Sequence, residues 1–215
     1  SPSPAQVGAI ADAIRVMADH GTGAAERSLS HLQAYVQDVE LKQALTYYCA
    51  GPGALMLNGD TEALTYSRFT TFELEELMAL GPKVTAPSLM FLFREVERRL
   101  DGSPMLIILD EAWLAISNPR FATKIKEWLK VLRKRNCAVI LATQSLSDIT
   151  NSPIRDDVFE SCPTKILLPN PEAKSENLRR LYAENLNLNE VQINLLARAQ
   201  KKREYYYLAD GRARM

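Results

Sequence analysis

The 215-residue chain predicts an α/β protein: a mostly parallel sheet flanked by helices, preceded by a small all-helical segment. Three observations carry that expectation. Met105-Leu106-Ile107-Ile108-Leu109 is a short, wholly apolar run entered from Gly102-Ser103-Pro104, which reads as a strand buried on both faces. Cys137 to Ala142 is a second such run. Between them Phe121, Ile125, Trp128, Leu129 and Leu132 recur at helical spacing over 121–135. Strand, helix, strand in about 40 residues is a right-handed parallel crossover. The C-terminal ends of both strands then share one edge of the sheet.

Taken in order, the chain opens with a helix start. Ser3 is its cap, Pro4 its first residue, and Gln6 closes a capping box. Val7, Ile10, Ile14 and Met17 form one apolar stripe, and the glycines Gly21 and Gly23 stop the helix. Leu29, Leu32, Val36 and Val39 mark a second helix, and Leu41, Leu45 and Tyr48 a third. His20 and His31 have no partner at ligand spacing and read as surface or cap residues. Residues 1–50 are therefore expected to be a helical appendage on a core spanning 51–215. Around Asn58-Gly59-Asp60, the flanks 54–57 and 64–67 suggest a hairpin, with Asp60 a turn residue. A strand over 69–72 and a short helix through Leu74, Leu77, Met78 and Leu80 follow. Pro87 opens a longer helix with Leu89, Leu92, Phe93, Val96 and Leu100 inward. Arg94, Glu95, Glu97, Arg98 and Arg99 make its solvated face.

Beyond the second strand, 146–153 reads as a polar loop and 154–159 as a short helix. A third core strand spans 164–168. Leu178, Leu181 and Tyr182 mark one amphipathic helix, and Asn189 caps another that carries Val191, Leu195, Leu196 and Ala199. A strand over 204–209 ends at the turn Asp210-Gly211, where a return strand should begin.

Composition narrows the function classes. Apolar residues make up 47% of the chain, which excludes wholesale disorder. Lys plus Arg equals Asp plus Glu, 26 each, so nucleic acid or anionic membrane could be met only through a local patch. The apolar runs fall far short of the ~20 residues that a membrane helix needs, and no signal peptide opens the sequence. Cys49, Cys137 and Cys162 have no metal-ligand spacing and read as reduced core thiols of a cytosolic protein.

The chemistry concentrates at the two strand ends. Asp110 and Glu111 follow the first strand, and Thr143-Gln144-Ser145 follows the second. In phosphoryl-transfer sites an Asp at a strand end helps hold Mg²⁺. A neighbouring carboxylate can act as general base on the attacking water. A Gln on the adjacent strand end can hydrogen-bond that water and the γ-phosphate. Asp110, Glu111 and Gln144 fit these three roles. The plainer alternative is a solvated strand end whose carboxylates favour a helix N-terminus.

Five ordered blocks carry a specific resemblance. They are 106–113 with its Asp110-Glu111-Ala112-Trp113, 127–136, Ala142-Thr143-Gln144-Ser145, 165–170 and 202–207. Together they resemble the conjugative-transfer ATPases of type IV secretion systems, the TrbE-like and VirB-type family, and 106–113 resembles that family's Walker B segment. The resemblance implies a RecA-like P-loop NTPase core that binds ATP and Mg²⁺. It also implies a homo-oligomeric ring, a hexamer, in the cytoplasm and peripheral to the bacterial inner membrane, where it meets inner-membrane secretion components. It places an Arg-Lys pair on Arg133 and Lys134, which reads either as an arginine finger acting on a neighbouring subunit or as cations complementing a helix C-terminus. One departure matters: the phosphate-binding loop G-x-x-x-x-G-K-S/T is absent, and no Gly-Lys pair occurs. The chain is accordingly expected to be a partial core, Walker B onward, and inactive in isolation. The alternatives are a DNA-pumping coupling ATPase, for which Lys201-Lys202-Arg203 would be the basic loop, and a non-catalytic partner-docking module.

Overall fold

A computed structural model describes residues 2–20, 27–51, 53–59, 64, 66–116, 119–209 and 212–214. The chain divides into two compact units, Ser1–Glu97 and Arg98–Met215.

The first unit is helical. Helix α1 (Pro4–Asp19) begins with the expected capping box: Ser3 accepts from the Gln6 amide, and the Gln6 side chain accepts from the Ser3 N–H. Its predicted apolar stripe is only half realised, because Val7 and Ile14 are exposed while Ala13 is buried. His20 ends the helix, its N–H donating to the Val16 carbonyl; the predicted stop at 21–23 lies outside the described residues. Helices α2 (Leu29–Tyr35) and α3 (Val39–Cys49) are capped by Ser28 and Asp38. Val36 is not inside the second helix but its extended C-cap, and it is fully buried at the corner.

The predicted hairpin is not there. Ala54–Leu57 forms a single helical turn, α4. Asn58 ends that turn and clamps it to its neighbours, its Nδ2 donating to Ser30 Oγ and the Cys49 carbonyl, and its Oδ1 accepting from the Ser30 amide. An amide side chain that looked like a turn former is spent on long-range bonds, and Asp60 lies outside the described residues. No strand forms over 69–72. After α5 (Glu75–Ala79), α6 runs from Pro82 to Arg98 with Pro87 inside it rather than at its start. Proline lacks an N–H, so the Lys83 carbonyl four residues back loses its helical donor. Tyr48 Oη donates to that carbonyl at 3.0 Å, which makes an interior proline tolerable. On the same helix Glu95 is buried, at 3% exposure, not solvated.

In the second unit the predicted crossover forms. Strand β1 (Met105–Leu109) leads through α7 (Trp113–Ile116) and α8 (Pro119–Val131) to a 3-10 turn, Leu132–Arg135, and strand β2 (Cys137–Leu141). The strands are parallel, in register from Met105 opposite Cys137 to Leu109 opposite Leu141. Helix α8 buries Phe121, Ile125 and Trp128, and the turn adds Leu132, as the spacing predicts. Asn136 makes the reversal into β2 in the left-handed region, φ 57°. Its carbonyl accepts from the Met105 amide, and its Nδ2 donates to the Gly102 carbonyl, so one residue ties the starts of both strands.

The expectation that β1 is buried on both faces fails. Leu106 and Ile108 are 54% and 56% exposed, and Ile140 on β2 is 49% exposed. An apolar run reports that both faces of a strand are hydrophobic; it does not report that this chain supplies a layer for each. The stretch after Gln144 is also more regular than a loop, forming α9 (Leu146–Thr150) before α10 (Arg155–Ser161). Asp157 on α10 accepts from both Lys126 and Lys130 on α8, at 2.8 and 2.9 Å. These bonds hold its carboxyl below the usual carboxylate range.

The remaining strands form a separate antiparallel sheet, β3 (Lys165–Leu167), β4 (Tyr206–Ala209) and β5 (Arg212–Arg214), in the order β3-β4-β5. The predicted turn at 210–211 lies outside the described residues. Helices α11 (Glu176–Leu186) and α12 (Glu190–Arg198) pack with this sheet around Ala173, Tyr182, Leu188, Ile193, Leu196 and Tyr206. The capping box of Asn189 and Gln192 is present. The inward residues of α12 are Ile193 and Leu196, whereas Val191 and Leu195 face outward. Among the described residues β2 pairs only with β1, and β3 only with β4, so each leaves one edge unpaired.

Candidate active site

The site forms where β1 and β2 end together. The parallel ladder runs past both strands: the Ala142 amide donates to the Leu109 carbonyl at 2.9 Å, and the Ala112 amide donates to the Ala142 carbonyl at 2.8 Å. Between Leu109 and Ala112 the chain bulges outward. Asp110 Oδ1 accepts from the Glu111 amide at 2.9 Å. Glu111 itself adopts φ 51°, a left-handed conformation that L-residues avoid at roughly 1–2 kcal/mol. That backbone is tolerated because its neighbours on both sides are fixed, Asp110 by the bond to the Glu111 amide and Ala112 by the ladder.

The Glu111 carboxylate is held at both oxygens. Gln144 Nε2 donates to Oε1 at 2.5 Å, and Trp113 Nε1 donates to Oε2 at 2.5 Å. Gln144 is carried on a braced turn: Thr143 Oγ1 donates to Asp148 Oδ2 at 2.6 Å, and Ser145 caps α9 through the Ser147 amide. The structure thus brings Asp110, Glu111 and Gln144 to one place, as the strand ends predicted. It adds Trp113, to which the sequence assigned no role at the site. The available signal was its spacing, two residues beyond Glu111 at the first position of a helix.

Arg133 and Lys134 are elsewhere. Both are exposed in the 3-10 turn that precedes β2, at the opposite end of that strand from Gln144. The seven steps from Cys137 to Gln144 span roughly 23 Å at about 3.3 Å per residue.

No three described His, Cys, Asp or Glu side chains cluster as a metal site. Mg²⁺ at phosphoryl-transfer sites is held by one or two carboxylates, with waters and phosphate oxygens completing its octahedron. Asp110 is a donor suited to that kind of shell, with Glu111 beside it already engaged at both oxygens.

The TraG P-loop domain family matches residues 29–207. The chain belongs to that family. Over 188 residues it is 50% identical to a probable conjugal transfer protein TrbE from Sinorhizobium fredii, a match that covers 86% of this chain and 28% of that protein. A conjugal transfer protein TrbE from Rhizobium radiobacter is also 50% identical, over 86% of this chain and 23% of its own length. The type IV secretion system protein virB4 of Bartonella henselae is 29% identical over 80% of this chain and 22% of its own. The chain therefore spans about a quarter of the length of these relatives. Among solved structures, VirB4 of Thermoanaerobacter pseudethanolicus superposes on 98% of this chain and 63% of its own with a TM-score of 0.72 at 20% identity. That likeness speaks to fold, and it agrees with the expected α/β, partial RecA-like P-loop NTPase core. Among the described residues, no helix is long and apolar enough to cross a membrane.

Proposed function

We propose that this chain carries the hydrolytic half of an ATPase site, within a longer protein whose ATP hydrolysis powers conjugative transfer or type IV secretion. The observation that carries the proposal is the Glu111 carboxylate, fixed at both oxygens beside Asp110 at the common end of two parallel strands. Glu111 is the general base: it orients the attacking water and takes its proton. Asp110 holds Mg²⁺, which when bound neutralises charge on the transferred phosphoryl group. Gln144, expected from sequence to touch water and phosphate, has its amide nitrogen on Glu111, leaving its carbonyl oxygen to accept from the water. Arg133 and Lys134 serve the site of the next subunit, Arg133 as the finger, which requires a homo-oligomeric ring, a hexamer.

The phosphate cradle must come from a segment that these 215 residues do not contain, so the chain alone should be inactive. In the cell the assembly works in the cytoplasm, against inner-membrane components of the secretion apparatus. Lys201, Lys202 and Arg203 form an exposed cationic turn, the local patch through which a DNA-pumping version of the same motor would act; stimulation of turnover by DNA distinguishes that version. The role of Asp110 is tested in the longer protein by Asp110→Asn. The Mg²⁺ concentration for half-maximal turnover should rise about tenfold or more. An unchanged Mg²⁺ requirement would remove Asp110 from the metal site.

A further inference from the structure

Glu111 needs more than proximity to act as a base; its carboxylate must be aimed. The residue begins from an unfavourable backbone, φ 51°, and its side chain is confined by one hydrogen bond on each oxygen. The two donors differ in kind. Gln144 reaches across from the neighbouring strand end. Trp113 lies two residues further along the same chain, at the start of α7, where its rigid ring presents a single N–H to Oε2.

Trp113 is not there to fill the core. It is 38% exposed, whereas Trp128, the other tryptophan of the chain, is 2% exposed. An indole N–H at that exposure can bond to water without cost, so its bond to Glu111 is not imposed by burial. Its chemistry suits the task. A Lys or Arg in this position would lower the basicity of the carboxylate by its charge. A neutral indole restrains the carboxylate without setting a charge beside it, and it cannot take the proton itself, since the indole nitrogen only donates.

We propose that Trp113 is a positioning residue for the catalytic base: with Gln144 it clamps the Glu111 carboxylate, so that the lone pairs left free point at the attacking water. This rests on the reading of Glu111 as the base. A misplacement of about 1 Å costs on the order of 10²-fold in rate, which sets the scale of the effect.

Trp113→Phe keeps the apolar ring and removes only the donor. In the longer protein it should lower kcat about ten- to a hundredfold, with KM for ATP unchanged. Introduced into Glu111→Gln and followed by single-turnover hydrolysis, the same change should have no further effect, because Trp113 acts through the carboxylate already removed. An equal loss in both backgrounds would make Trp113 a merely structural residue and overturn the proposal, as would wild-type kcat in Trp113→Phe alone. If Glu111→Gln itself turns over at the wild-type rate, it is the assignment of the base that fails, and the clamp has nothing to position. A measurement on this chain needs no activity. Of its two indole N–H resonances, Glu111→Ala should shift that of Trp113 upfield and leave that of Trp128 in place. An unmoved Trp113 resonance would mean that the clamp is absent in solution.

Discussion

Arg133 lies in the turn before β2 and Gln144 beyond the far end of that strand; Cys137 to Gln144 alone spans roughly 23 Å for an extended chain, farther than one side chain reaches. Arg133 therefore cannot serve the site of its own subunit; if it contributes to hydrolysis, it does so on a neighbour. A heterologous ring provides such a contact at every interface, and an arginine finger is worth about 10³–10⁵ in rate. The perturbation is Arg133→Ala in the longer protein, which should still bind ATP and assemble while losing activity by a factor in that range. The decisive assay is mixing. Arg133→Ala supplies an intact Glu111, and Glu111→Gln supplies an intact Arg133. In rings assembled from equal amounts, about one interface in four pairs the two intact groups in cyclic order. Turnover should then recover to about a quarter of wild type if the sites act independently. A mixture no more active than either variant, with mixed rings confirmed by mass, would leave Arg133 as a cation complementing a helix end.

Two further outcomes are expected of the chain itself. The Asp157 carboxyl is held low by Lys126 and Lys130, so its folded value lies below its unfolded one. The stability it contributes is then present above the ordinary carboxylate range, near about pH 4, and is lost as pH falls through the folded value. The advantage of the wild type over Asp157→Asn in urea midpoint should be present at pH 7 and should vanish in strong acid; a constant gap across pH would contradict the ion pair. Ile125 is 1% exposed within α8, and Ile125→Ala should cost about 2–5 kcal/mol in denaturant unfolding. Ile140→Ala, at a half-exposed position on the open sheet face, should cost clearly less, and equal losses would show that this face is covered.

The sequence made the crossover legible because its signals are local and repeated. Residues 105–109 and 137–141 are apolar without a break, and Phe121, Ile125, Trp128 and Leu132 keep one helical period. The capping boxes at Ser3 and Asn189 were legible for the same reason, since donor and acceptor lie three residues apart. Elements decided by distant partners were not. Asn58 looked like a turn residue until Ser30 and Cys49 took its side chain. Pro87 looked like a helix start because nothing local announces that Tyr48 will occupy the freed Lys83 carbonyl. Nor did the apolar pattern of β1 tell which of its faces would stay open. At the site, strand ends delivered Asp110, Glu111 and Gln144, but the bonds that hold Glu111 depend on its left-handed backbone, which no residue type in that stretch requires.

The central claim, that Glu111 is the base of an ATPase site, is tested most directly by Glu111→Gln in the longer protein, with ATP binding and turnover measured on the same preparation. The amide is isosteric and keeps an oxygen for the Trp113 N–H, while it loses the ability to take a proton. Affinity for Mg-ATP should be unchanged and turnover should fall by about 10²–10⁴. Turnover near the wild-type rate would contradict the account at its centre.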